Sequence, residues 1–242
     1  MSRPGGCPAS QADPAGPRYD VQHLKGHQPR LMSTTPDVAM AAALRVPYVI
    51  AWSDEAVQHP LLFADHRSSG GVRLTYPDSR RSDWVNGVLR ARIRQNRRGE
   101  PMWRMLNVRR QWRCMERDLC QVCGEPGTDP ETGRVWWVIT ETAFRATGKD
   151  GGLTNAPPTC RACIPESLAY CPQLRKSAAV YTAAYSEPAG VLADVFEPGV
   201  GGAARRTGHN VFVGFDEFAL HPYVLATRMA VKLHDMRPGK DP

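Results

Sequence analysis

The chain has 242 residues, 42% hydrophobic and 23% charged, a globular composition with enough length for one ordinary core and a small module beside it. It contains no run of about 18 to 20 apolar residues and no apolar N-terminal segment of the secretory kind, which excludes a membrane-spanning helix and leads us to expect a cytoplasmic protein. The formal charge of +7 is concentrated: residues 67–113 hold 13 basic and 3 acidic groups, against 5 and 6 before them and 13 and 15 after them. A field so localised draws polyanions, nucleic acid first among them.

Residues 1–33 are rich in Pro and Gly and lack apolar periodicity, so a disordered tail is expected there. Met32, just before Ser33-Thr34-Thr35-Pro36, reads as an alternative start of the ordered protein. Thr35 and Pro36 are helix-start chemistry, and an Ala-rich helix is expected to follow to Leu44. Short apolar runs at 48–52, 61–64 and 72–76, separated by turn residues, predict a small antiparallel sheet. Ser82 or Asp83 then reads as the cap of a helix carrying Trp84, Val88, Leu89 and Ile93 on one side. A second helix is expected through Val108, Trp112, Met115 and Leu119, with Arg109, Arg110, Arg113 and Arg117 on its other side.

Two C-x-x-C pairs follow, Cys120/Cys123 with Gly124 after them and Cys160/Cys163, with 36 residues between. Two residues between thiolates let both sulfurs reach one ion, and glycine after the second allows the tight turn that aims N–H groups at sulfur. The intervening residues have room for a hairpin, in which 134–140 supply a strand. Ile164-Pro165-Glu166 begins a helix that carries the second pair at its N-terminus. Knuckle, hairpin and ligand-bearing helix make a treble-clef arrangement holding a structural Zn²⁺ on Cys120, Cys123, Cys160 and Cys163; an iron–sulfur site or disulfides are the alternatives. Cys171 reads as an ordinary thiol or substitute ligand, and Cys114 and Cys7 have no partner at ligand spacing. Beyond this region, strands are expected at 180–185, 191–196 and 211–215, a flexible loop at 199–208, and a closing helix over 216–234 with Leu225, Met229 and Leu233 at spacing four.

The residues from Arg109 to Gly124 (RRQWRCMERDLCQVCG), together with Thr159 to Cys163, resemble the HNH endonuclease family, over about 70 residues. The resemblance implies a basic helix running into a treble-clef zinc module. It does not carry the family's catalysis, because no histidine occurs between His66 and His209, so the general base and the ligands of the catalytic ion have no counterpart.

The expected fold is therefore α+β: a tail (1–33), a small sheet with basic helices (34–106), the zinc module (107–176) and C-terminal strands with a helix (177–242). The expected function is non-catalytic nucleic-acid binding. Arg80, Arg81, Arg90, Arg94, Arg97, Arg98, Arg109, Arg110 and Arg113, with Arg92 and Arg104 beside them, would contact phosphates, and Trp84, Trp103 and Trp112 either stack on bases or fill the core. Two other readings stand beside it. One is an enzyme using His59, His66, Asp54, Glu55 and Asp65 for acid–base work, with zinc only structural. The other is a regulatory or phage-type factor whose basic segment meets an acidic protein partner.

Overall fold

Alternating strands, more than helices, account for this chain. A computed structural model describes residues 45–57, 59–66, 71–140 and 152–239. The tail expected at 1–33 and the helix expected over 35–44 lie outside the described residues. The architecture is α+β and mostly strand: β1 (Ile50–Trp52), β2 (Leu62–His66), β3 (Gly71–Thr75), β4 (Trp84–Val85), β5 (Val88–Arg90), β6 (Pro101–Leu106), α1 (Val108–Glu116), β7 (Val135–Ile139), β8 (Gly152–Thr154), α2 (Ile164–Tyr170), β9 (Ala179–Ala183), β10 (Tyr185–Pro198), β11 (Ala204–Gly214), β12 (Val224–His234) and β13 (Arg237–Pro238). Among them no helix is long and apolar enough to cross a membrane.

The main sheet has the order β11-β10-β12-β5-β4, with β8 also paired to β12. Its strands thus come from before, within and after the cysteine region. β10 pairs antiparallel with β11 and with β12, while β5 joins β12 in parallel through Leu225↔Leu89 and Ala226↔Arg90. β1 pairs with β6, β2 with β3, and β7 with β9 and β13 in a separate three-stranded sheet. Helix α1 covers the main sheet, burying Val108, Trp112 and Met115 against Val191, Val224, Met229 and Val231.

Helix α1 starts where expected, because the Asn107 side chain caps it by accepting from the Arg110 N–H at 3.1 Å. Gln111, on its inward face, completes the sheet. β5 and β8 occupy the same edge of β12 but leave Met229 between them, and the Gln111 amide fills that gap as a peptide group would. Its oxygen accepts from Met229 N at 2.9 Å, and its nitrogen donates to Met229 O at 2.9 Å and Asn155 O at 3.0 Å. Each of those buried backbone groups, left unpaired, would cost about 1–3 kcal/mol.

Three expected elements take another form. The helix expected after Ser82 is instead the β4–β5 hairpin. Asn86 and Gly87, both at positive φ (48° and 86°), make the two-residue turn that matches strand twist. The helix expected over 216–234 is instead a 3-10 turn at His221–Tyr223 followed by β12. A spacing of four is both near a helical turn and an even number of strand residues, so Met229 and Leu233 share a side in either state, while a bulge at Thr227 (Leu192↔Arg228, Ala193↔Ala226) turns Leu225 to the other face, against the cluster of Phe63, Leu74 and Leu89. The Gly-rich segment expected as a loop at 199–208 is a 3-10 turn at Val200–Gly202 and then the first half of β11, whose Ala204, Arg205 and Arg206 pair with Pro198, Glu197 and Phe196.

Candidate metal centre and basic cleft

The knuckle is built by backbone. The Cys120 N–H donates to Glu125 O at 2.7 Å and the Gly124 N–H returns to Cys120 O at 2.8 Å. Gly124 holds φ at 82°, and a Cβ there would stand 3.1 Å from the Tyr48 ring, so both conformation and space require glycine. The second pair is attached to the first by Gln121, whose side-chain amide donates to Pro157 O at 3.0 Å and Thr159 Oγ1 at 2.9 Å. Helix α2 begins at Ile164 directly after Cys163, with Pro165 in its first turn. The run 134–140 forms β7 as expected. Near the cysteines it makes only a short hairpin with the preceding residues (Thr128↔Val135), and its longer ladder runs to β9.

These elements bring the sulfurs of Cys120, Cys123, Cys160 and Cys163 within 4.8 Å of one another, so that together they could hold one metal ion. The Cys123 and Cys160 sulfurs are 3.7 Å apart. A disulfide requires about 2.05 Å. A tetrahedron with metal–sulfur bonds of about 2.3 Å has edges of about 3.8 Å, so the separation fits metal ligation and not a disulfide. Burial opposes charge on Cys120, but N–H groups of Cys123, Cys160 and Val122 aimed at it hold its thiol below the usual range. Burial and then the Cys120 charge push the Cys160 thiol up to about 11, and burial and then the hydrogen bond with Cys160 raise Cys163. Arg45 stands beside them, donating to Cys163 Sγ at 3.6 Å and to the Glu166 carboxylate.

Neither remaining described cysteine joins this group. Cys114 is buried, which pushes its thiol up to about 12, and its sulfur faces Cys120 O at 3.9 Å. Cys171 follows the end of α2, outside the cluster. Cys7 lies outside the described residues.

The arginines are sorted by the fold. Arg80, Arg90, Arg94 and Arg109 line one cleft of about 310 Å³, together with Arg92, His59, Ser82, Asp78 and Asp83. Arg81, Arg97, Arg98 and Arg113 are exposed elsewhere on the basic segment. Arg110 requires correction as a surface contact: it is buried, 2% exposed, and forks onto Glu55 with N···O distances of 2.6 and 2.7 Å. One residue turns an α-helix by about 100°, enough to carry Arg110 off the Arg109/Arg113 face toward Cys114. Arg92 is likewise engaged, bidentate to Asp83 at 3.1 and 2.7 Å and bonded to Asp78 at 2.7 Å.

The Glu55–Arg110 pair shapes the cleft from behind. Glu55 accepts five hydrogen bonds: two from Arg110, one from the Asn107 amide, and one each from the Trp52 and Arg97 N–H groups. Burial alone would raise its carboxyl, but these donors hold it down to about 2. Glu55 O accepts from Arg94 N at 3.0 Å, and Arg94 O accepts from Asn107 at 2.8 Å, which fixes the Arg94 backbone. The buried Tyr76 hydroxyl donates to Arg90 O at 3.2 Å and accepts from Arg92 N at 3.1 Å, which fixes the backbone of that stretch. Neither network announces itself in the sequence, where Glu55 is one charge of a short polar run.

Of the expected acid–base group, Glu55 is thus locked in an ion pair. His59 lies edge-on to Tyr76 with ring centroids 5.6 Å apart, and His66 contacts Arg73 at 3.3 Å. His59 faces the cleft and His66 is not among its lining residues. The tryptophans divide three ways: Trp112 is fully buried, Trp84 is half-buried under the Arg73 guanidinium at 3.2 Å, and Trp103 is 49% exposed on β6. In comparison with known proteins, no family model, no curated protein and no solved structure matches this chain.

Proposed function

We propose that this chain is a zinc-stabilised, non-catalytic nucleic-acid-binding protein, whose Cys120, Cys123, Cys160 and Cys163 hold a structural Zn²⁺ in a treble-clef-like module. Four thiolates in tetrahedral reach are the donor set of a closed zinc site, and a closed site leaves no coordination position for substrate. The knuckle, the short Thr128↔Val135 hairpin and the start of α2 at the second pair support the treble-clef reading. The ion's role is to fasten α1 and the β1 region to the middle of the chain, since Tyr48 and Val49 donate to Val122 O and Gln121 O on the knuckle at 2.9 and 3.2 Å.

The single observation that carries the binding reading is the convergence of Arg80, Arg90, Arg94 and Arg109 on one cleft. Guanidinium forks match phosphate oxygens, and their spread over the segment between β3 and β4, β5, the segment after it and α1 makes a recessed surface rather than a solvated helix face. Exposed Trp103 adds an aromatic face on the same segment for an unpaired base.

Fluorescence anisotropy with labelled single- and double-stranded oligonucleotides, over a range of salt, tests the reading. Binding should weaken with a log–log slope of several units. Replacing the exposed Arg80 and Arg109 together by Gln should lower affinity by at least tenfold while leaving metal content and melting unchanged. No binding at any salt, alongside co-purification of an acidic protein, would transfer the arginines to a protein partner.

A further inference from the structure

The cleft's charge and size narrow what it receives, an inference that rests on the binding reading above. Five arginines, Arg80, Arg90, Arg92, Arg94 and Arg109, face two carboxylates, Asp78 and Asp83, and both carboxylates are held by Arg92. Three positive charges are left uncompensated in a space of about 310 Å³. That is the lower end of the range for small-ligand sites, about 300–1,000 Å³. It has room for one phosphate and the sugar bearing it.

Arg90 is the central group. Its side chain is half-buried, its guanidinium lies 5.4 Å from the centre of the Trp112 ring, and its one hydrogen bond among the described residues goes to Ser82 O at 3.2 Å. No carboxylate lies within ion-pair distance of it among the described residues; burial and then the neighbouring Arg109 disfavour its charge, and the more distant Glu116 and Asp83 offset them only in part. A cation partly removed from water and set beside another cation is stabilised by an anion placed between them.

The two forms of phosphate in nucleic acids answer this demand differently. An internal phosphodiester carries one negative charge and two unshared oxygens. A terminal phosphomonoester carries a charge of about −1.5 to −2 at neutral pH and offers three oxygens. Four guanidinium forks not bonded to a carboxylate, in a lining of net charge +3, favour the second, which brings more negative charge and one more acceptor oxygen. We propose that the cleft lined by Arg80, Arg90, Arg94 and Arg109 captures a phosphomonoester, either the phosphorylated end of a nucleic-acid strand or a mononucleotide.

The test compares one oligonucleotide in three versions, with a 5′-phosphate, with a 3′-phosphate and with hydroxyls at both ends, each labelled internally and titrated with the full-length metal-loaded protein. A nucleoside monophosphate and inorganic phosphate serve as competitors. One phosphorylated version should bind at least tenfold tighter than the hydroxyl version, and the monophosphate should compete against it. In Arg90→Gln, and in the more exposed Arg80→Gln should the first fold poorly, that preference should fall to nearly one while residual binding of the hydroxyl version persists. Equal affinity for all three versions overturns the phosphomonoester assignment and leaves nucleic-acid binding standing. Binding of the monophosphate without any oligonucleotide keeps the phosphate site and overturns the nucleic-acid reading. Binding of none overturns both.

Discussion

The sulfur centre and the arginine segment carry the chemistry of this molecule, and they relate to the sequence in opposite ways. At the sulfur centre the four ligands named by spacing are the four brought within 4.8 Å. In the arginine segment nine like residues separate into a cleft-lining group, a scattered exposed group and one buried ion-pair member. A metal site is specified by short-range covalent geometry, because two residues between thiolates suffice to form half of it. A charge patch is specified only by where distant segments happen to place each side chain.

The comparison predicts very different responses to substitution. The largest effect belongs to the sulfur centre. Cys120→Ser, or chelation of the native protein, should remove one zinc per chain by elemental analysis and abolish the cooperative unfolding transition. Binding free energies of about 10–16 kcal/mol for structural zinc in small peptides rival the whole stability of a domain. Retention of a native melting curve without metal would break the comparison at its stronger side.

A smaller but still large loss belongs to Arg110. Arg110→Ala leaves the Glu55 carboxylate buried and unpaired and should cost about 3–5 kcal/mol by urea unfolding, whereas Arg113→Ala on the same helix should leave the midpoint unchanged. The pair also has a pH signature. Because folding holds Glu55 down to about 2, its contribution is complete above the ordinary glutamate value of about 4.3 and is lost as pH falls from there toward 2. Unfolding titrations across that window should show a steep loss in the native protein that is missing in Glu55→Gln, which is weaker throughout.

The smallest effect is within the exposed set. Arg109→Gln should reduce oligonucleotide affinity several-fold more than Arg113→Gln in the same anisotropy assay, although both lie on the outward face of α1. Equal losses would mean that the cleft has no privileged role and that net charge alone governs binding.

Much of the fold was legible where one period dominates. Asn107 and the apolar positions of α1 place that helix, and the uninterrupted apolar run of β7 reads as a strand. The misreadings arise where two periods coincide or a turn outweighs a pattern. Met229 and Leu233 satisfy helix and strand equally, and only pairing with β10, β5 and β8 makes β12 extended, with a bulge at Thr227 that puts Leu225 on the other face. Trp84, Val88, Leu89 and Ile93 have helical spacing, but Asn86-Gly87 between them closes a hairpin. The asparagine–glycine pair was a readable signal for that turn.

The amino-acid sequence by itself determined which four cysteines cluster and the existence of a strongly basic segment, because both follow from residue type and near-neighbour spacing. Only the tertiary structure decided which arginines face a common cleft, that Arg110 is withdrawn to hold Glu55, and that Arg92 holds Asp78 and Asp83. Those outcomes depend on contacts between residues up to 55 positions apart, and pairing at such range is set by the packing of β1, β5, β6 and α1 together.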